Sequence, residues 1–181
     1  MAYHSLNTVK VASTYGRVFS GKHEQPLYNG TIGYIGDYLE GELEVREFHL
    51  ADEESIRTQL PAIVADPEVM YDNSTRAKNA IGWYRTTPEV AFTVAPLIIT
   101  DEIEVSEDSI EGAAELVVGS IVKQKVGGGL IKAEAAPTKD EAKAYFKVVS
   151  VRNGLGFQVA FNAKGSVPQH KVFGLELVLA K

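Results

Sequence analysis

From Pro88 to the C-terminus, the chain consists of short strand-like runs separated by turn-forming residues. The runs are rich in β-branched and aromatic side chains, and Pro, Gly or Asn-Gly steps separate them at intervals typical of an all-β sandwich or barrel. We therefore predict a mainly β fold in which each run forms one strand. The predicted strands are Glu89–Val94, Leu97–Glu104, Leu116–Lys125, Leu130–Ala133, Tyr145–Arg152, Phe157–Asn162 and Val172–Leu179.

A further strand-forming region lies between residues 27 and 48. Asn29-Gly30 supplies the positive φ that a tight turn requires, and residues 39–46 alternate apolar with charged side chains. This alternation predicts a strand with one buried face and one face in water. We expect the inward-facing side chains of the region to include Ile32, Tyr34 and Ile35.

Helical signals are short and few. The segment from Asp52 to Leu60 begins with acids, which suit the positive end of a helix dipole, and Pro61 ends it within about two turns. Thr138 and Glu141 match a capping box, but β-branched residues follow closely, so at most one helical turn is expected there. The sequence thus predicts one or two short helices.

The distribution of apolar residues suggests how the 181 residues are organised. Residues 1–26 carry too few apolar side chains for a confident core element, and we predict an extended N-terminal arm. Residues 27–181 are expected to form one compact β-rich domain, which is long enough to bury a sizeable core. A division into subdomains near residues 86–115 is a further possibility.

The residue types needed for common catalytic and metal sites are absent or scattered. The chain has no cysteine, and its histidines have no partner at metal-ligand spacing. Gly127-Gly128-Gly129 lacks the Lys that follows in a phosphate loop and lies between strand-like runs, so it predicts a hairpin connection. The acids of residues 101–111 do not match a calcium loop. We expect no enzyme activity, no cofactor and no metal.

Charge is unevenly distributed along the chain, whose net charge is −6. Between Arg85 and Lys123 there are eight acids and no basic residue, whereas from Lys123 onward ten Lys or Arg residues accompany four acids. This pattern favours two faces of opposite sign that could promote ordered self-association, with two solvated strand faces as the alternative. The acidic total argues against nucleic-acid binding.

The N-terminal sequence lacks a cationic start followed by an apolar core of signal-peptide length. No run approaches the roughly 18 apolar residues of a membrane span. We expect a soluble protein that does not use a cleaved secretion signal and does not bind a membrane.

A series of short sequence pieces resembles the head decoration proteins of tailed bacteriophages. In that family an Asn-Gly turn, an acidic strand, an Asp-Pro-Glu-Val-Met-Tyr-Asp run and a later strand follow one another, and the similarity covers about half of this chain. The matching pieces are Asn29-Gly30-Thr31, Gly36-Asp37, Leu39–Glu42, Asp66–Asp72, Phe92-Thr93-Val94 and Asp101-Glu102-Ile103.

The resemblance implies a capsid-stabilising function. The chain would bind the outer surface of a phage capsid after synthesis in the host cytoplasm, with the major capsid protein as partner and a homotrimer as the expected oligomer. The arm and Asp66–Asp72 would contact the shell, and Trp83-Tyr84-Arg85 has the composition of an interface hot spot. The candidate interface residues are Tyr15, Arg17, Phe19, Val69, Met70, Tyr71, Trp83, Tyr84 and Arg85.

A second hypothesis is a carbohydrate- or receptor-binding β module of a phage fibre or tail. Such a module needs a platform of exposed aromatic rings. The candidate platform residues are Tyr28, Tyr34, Tyr38, Trp83 and Tyr84.

Overall fold

A computed structural model describes residues 6–10, 18–66, 85–155 and 169–181. Within these residues the protein is mainly β, as predicted, with one short α-helix, α1 (Glu53–Thr58), and two 3₁₀ turns, Glu107–Ser109 and Ala113–Glu115. The strands are β1 (Leu6–Lys10), β2 (Phe19–Lys22), β3 (Ile32–Tyr38), β4 (Val45–Leu50), β5 (Ala62–Val64), β6 (Phe92–Pro96), β7 (Glu102–Ser106), β8 (Ile110–Glu111), β9 (Ile121–Lys125), β10 (Gly129–Ala133), β11 (Ala144–Leu155) and β12 (Gln169–Leu179).

Five strands close into a small barrel in the order β2-β4-β3-β5-β6. Strand direction reverses at every antiparallel pair, so a closed ring of five strands requires at least one parallel pair. Here β2 and β4 form that pair, with Ser20 opposite Val45 and Lys22 opposite Glu47. The other four pairings are antiparallel. Closure leaves the barrel without an exposed sheet edge.

The remaining strands form a seven-stranded sheet in the order β1-β7-β12-β11-β9-β10-β8. Its central pair is the long hairpin of β11 and β12, in which a bulge lies between Val148 and Ser150. The β9–β10 hairpin turns through residues 126–128, and Lys125 pairs with Gly129. The predicted hairpin connection at Gly127-Gly128-Gly129 is therefore confirmed.

Barrel and sheet share one hydrophobic core. Ile32, Ile63 and Leu97 of the barrel side pack in the same cluster as Phe146 and Phe173 of the sheet, and all five are almost fully buried. A smaller cluster fills the barrel itself. Burial of this apolar surface is the main force that holds the two parts together.

Local sequence signals explain the helix and the first turn. Asp52 caps α1 by accepting hydrogen bonds from the Ser55 hydroxyl at 2.6 Å and from the Ser55 amide at 2.7 Å. The hydroxyl bond first, and then the amide bond, lower the pKa of the Asp52 carboxyl. The helix ends before Pro61, as predicted. Gly30 has a φ of 86°, which confirms the predicted turn at Asn29-Gly30.

The strand predicted over residues 39–46 begins later than expected. Residues 39–44 form the connection between β3 and β4, and only Val45 and Arg46 belong to a strand. Gly41 has a φ of 82°, and the Glu42 amide donates to the Leu39 carbonyl at 3.0 Å, so the chain turns there. The alternating side chains are therefore solvent-exposed loop residues, and Leu43 is 94% exposed.

The described parts of the segment 1–26, which was predicted as an arm, lie in both sheets. Strand β1 is the edge strand beside β7, and β2 is an integral strand of the barrel. The prediction of an extended arm is thus refined, because Phe19–Lys22 belongs to the closed ring. Phe157–Asn162, also predicted as a strand, lies outside the described residues.

Candidate functional site

An arginine lies between two aromatic rings at one end of the barrel. Arg46 lies two residues before Phe48, which points into the barrel core, so both side chains project from the same face of β4. Arg46 also pairs with Tyr38 across β3, after a bulge that follows Ile35. The guanidinium carbon lies 4.9 Å from the Tyr38 ring centroid and 5.7 Å from that of Phe19, within cation–π range.

Arg46 lacks some of the polar partners that a guanidinium usually has. Within the described residues Arg46 has no ion pair, and its Nε atom is buried without a hydrogen-bond acceptor. Tyr38 is 58% exposed, and Val18, the residue before Phe19, is 61% exposed. We call Val18, Phe19, Tyr38 and Arg46 the barrel-mouth patch. Its combination of aromatic rings and arginine is typical of interface hot spots.

A second arginine–aromatic pair lies beyond the other end of β3. Arg85 is exposed, stacks 4.2 Å from the Tyr28 ring centroid and donates a hydrogen bond to the Tyr28 hydroxyl. The backbone beneath is fixed, because the Leu27 amide donates to the Thr86 hydroxyl at 2.9 Å and the Thr86 amide donates to the Leu27 carbonyl at 2.8 Å. We call Tyr28 and Arg85 the Arg85 pair.

Asn29 and Asp66 hold the loops below the Arg85 pair. The Asn29 amide nitrogen donates to the Asp66 carbonyl at 2.8 Å, and the Asp66 amide donates back to the Asn29 side-chain oxygen at 2.9 Å. An Asp66 carboxylate oxygen accepts from the Thr93 amide on β6. These bonds place the Arg85 pair on a rigid base.

A surface cleft of about 390 Å³ contains two of the histidines. His23 Nδ1 lies 3.0 Å from the Phe48 carbonyl, and His49 Nε2 lies 3.1 Å from a Glu47 carboxylate oxygen. Each imidazole thus already has a protein partner. In the described part of the chain, no three His, Cys, Asp or Glu side chains are grouped so that they could hold a metal ion.

The acidic and basic blocks of the sequence meet within the fold. Three basic side chains of the C-terminal part bind three acids of the segment before it, in the pairs Lys125–Glu111, Lys132–Glu115 and Arg152–Glu104. The Lys132 contact lowers the pKa of Glu115. These pairs oppose the expectation of two separate faces of opposite sign, because they bring acidic and basic side chains together on the surface of the fold.

The structure describes two of the predicted interface residues, Phe19 and Arg85. It does not bring them together, since Phe19 is at the barrel mouth whereas Arg85 lies beside Tyr28. Tyr34, proposed for an aromatic platform, is 2% exposed and belongs to the core, so it cannot contribute to such a platform. The remaining predicted residues lie outside the described ranges: Tyr15, Arg17, Val69, Met70, Tyr71, Trp83 and Tyr84.

Sequence reasoning missed the role of Arg46. Its position at the end of an acidic alternating run suggested an ordinary outward charge, and only the β3 bulge and the β2–β4 pairing place it between two rings. The alternation of residues 39–46 places Leu43 on the buried face of a strand, whereas the structure shows it 94% exposed in a loop. The spacing of residues along the chain indicates neither the position of Arg46 nor the exposure of Leu43.

Among the described residues, no helix is long and apolar enough to cross a membrane. Comparison with known proteins found no match to this chain among protein-family models, curated proteins or solved structures.

Proposed function

We propose that this chain is a virion structural protein that binds the outer surface of a phage capsid and stabilises the shell. Its partners are the major capsid protein and further copies of itself, with a trimer as the favoured assembly. The proposal is supported by the similarity of residues 27–112 to head decoration proteins. It is also supported by the two arginine–aromatic surfaces that the β-rich body presents.

The Arg85 pair is the structural feature that best supports capsid binding. Arg85 follows directly after the segment 66–84, which contains the strongest piece of the resemblance. The arginine is exposed, lies over the Tyr28 ring and donates to the Tyr28 hydroxyl, so little side-chain freedom is lost when a partner binds it. An arginine held in this way is suited to pair with carboxylates or backbone carbonyls of a neighbouring protein.

Stabilisation of the shell follows from repetition. Each copy buries a modest area against neighbouring capsid subunits, and an oligomer makes several such contacts at once. The effective concentration of each further contact is high once the first has formed. Weak individual contacts can therefore hold a lattice together against internal pressure.

Phage heads that lack this protein provide the test. Purified chain is mixed with such heads, and bound chain is measured after co-sedimentation. We expect saturable binding that Arg85→Ala weakens on the order of tenfold, because the loss of a central interface arginine commonly costs more than about 1.4 kcal/mol. Arg57→Ala is the matched control, since Arg57 is an exposed arginine on α1. Absence of wild-type binding to expanded and unexpanded heads would rule out the proposed function.

A further inference from the structure

We propose that the barrel-mouth patch is the contact between copies of this chain, and that it receives the β3–β4 loop of a neighbouring copy. This inference rests on the self-association included in the proposed function and is independent of capsid binding. The receiving surface is the barrel-mouth patch. The donated segment is the acidic loop, which we define as residues 39–44.

The receiving surface contains an arginine without an ion pair among the described residues, next to aromatic and aliphatic side chains. Arg46 has no ion pair among the described residues, and the acids of its own loop, Glu42 and Glu44, do not reach it. The exposed Tyr38 ring, the half-buried Phe19 ring and the exposed Val18 side chain provide apolar area near this charge. The chemistry that fits is a carboxylate next to an apolar side chain.

The acidic loop presents that combination. Leu43 is 94% exposed, the highest value among the exposed large apolar side chains of the described residues, and exposed glutamates flank it on both sides. The loop is also ordered, because the Leu39 amide donates to the Val45 carbonyl at 3.0 Å and Gly41 takes the left-handed conformation. A loop that is already ordered loses little conformational entropy on binding.

Charge and position both favour a second copy as the occupant. The chain carries a net charge of −6, so two copies repel each other unless opposite charges meet locally. Contact between Arg46 of one copy and the loop glutamates of another would bring opposite charges together. Patch and loop lie at the same end of the barrel, and each copy can give its loop to one neighbour and receive the loop of another. Such head-to-tail contacts form a closed ring when the rotation between copies is a whole fraction of a full turn.

Sedimentation velocity of the full chain over a range of concentrations tests the inference. We expect wild-type protein to self-associate, and Leu43→Ser to weaken the association on the order of tenfold without loss of folding, because Leu43 makes little contact within its own chain. Val117→Ser is the matched control, since Val117 is 65% exposed in a loop beside the seven-stranded sheet.

A charge exchange tests the pairing itself. Arg46→Glu alone, and Glu42→Arg with Glu44→Arg, should each abolish association, whereas the chain with all three changes should regain it. Monomeric wild-type protein at the highest concentration, or association unchanged by Leu43→Ser and by the two loop changes, would overturn the inference. Binding to phage heads through Arg85 is measured separately, so failure of the copy–copy contact and failure of capsid binding are distinguishable.

Discussion

The hydroxyl of Tyr34, on β3 of the barrel, donates a hydrogen bond to the side-chain oxygen of Gln124 on β9 of the seven-stranded sheet. Both side chains are buried, and Gln124 Nε2 lies 3.4 Å from the Ala144 carbonyl on β11. This buried side-chain bond links barrel and sheet, in addition to the backbone bond from the Ile32 amide to the Gly128 carbonyl. A buried polar group is costly when its partner is removed, so the link fixes how the two parts meet.

Removal of the Tyr34 hydroxyl should lower the free energy of unfolding more when Gln124 is present than when it is replaced by an apolar residue. Tyr34→Phe leaves the Gln124 oxygen buried without a donor, which should lower the free energy of unfolding by about 1–3 kcal/mol. With Gln124→Leu as the partner change, the double variant should lose less than the sum of the two single variants. Urea unfolding of the four proteins measures this coupling, and strictly additive losses would contradict it.

The buried hydroxyl of Tyr34 should make the folded protein less stable at alkaline pH. Burial raises the pKa of Tyr34 above its ordinary value of 10.0, and the nearby charge of Asp52 acts in the same direction. Above pH 10 the unfolded chain releases this proton while the folded chain keeps it, so the free energy of unfolding falls as pH rises.

Urea unfolding between pH 9 and 11.5 checks this prediction. For one such group the slope approaches about 1.4 kcal/mol per pH unit. Tyr34→Phe should have a shallower slope than wild type in this window, although it is less stable at neutral pH. Equal slopes in the two proteins would show that Tyr34 does not contribute to the pH dependence of the free energy of unfolding.

Gly128 should tolerate a methyl group much less well than its neighbour Gly127. Both residues have a φ of 92°, so alanine at either position has a backbone cost of about 1–3 kcal/mol. A Cβ atom at Gly128 would also lie 2.9 Å from the Ile32 carbonyl oxygen and 3.0 Å from Leu50 Cδ2, whereas a Cβ at Gly127 meets nothing within 4 Å.

Thermal unfolding of Gly128→Ala and Gly127→Ala separates these two effects. We expect Gly128→Ala to melt at the lower temperature, because the β9–β10 hairpin must move away from the barrel, where the Ile32 amide donates to the Gly128 carbonyl at 2.9 Å. Equal melting temperatures would show that the hairpin does not pack against the barrel as described.

Shell binding should raise the temperature at which heads release their DNA. A ligand that binds the intact shell and not the disrupted one stabilises the intact shell by mass action. Heads saturated with wild-type chain should therefore release DNA at a higher temperature than bare heads, as followed by a DNA-binding dye. The Arg85→Ala chain, added at the same concentration, should give a smaller increase.

Local patterns predicted the parts of the fold that depend on local physics. The acids before Ser55 and the proline at 61 define α1, and Gly30 takes the positive φ that its turn requires. Six of the seven runs predicted after Pro88 correspond to β6, β7, β9, β10, β11 and β12 with shifted ends, and the seventh, Phe157–Asn162, lies outside the described residues. The two-residue strand β8 has no counterpart among the predicted runs. The alternation of residues 39–46 predicted a strand, but an exposed loop can show the same period, and only Val45 and Arg46 belong to a strand.

Long-range pairing could not be read from the sequence. The parallel pairing of β2 with β4 closes the barrel, and it draws Phe19 from a segment that was expected to be an arm. The Arg46 site depends on that pairing and on a bulge in β3, neither of which has a local signature. The ion pair between Glu104 on β7 and Arg152 on β11 likewise depends on the strand order of the sheet, in which only β12 lies between these two strands.

Copy number in purified virions tests the central claim most directly. Quantitative mass spectrometry of purified particles gives the ratio of this chain to the major capsid protein. We predict a fixed ratio, with copies of the same order as the capsid subunits, that is restored when heads lacking the chain are incubated with it. Absence from purified particles, or only a few copies in each, would contradict a function in covering the shell.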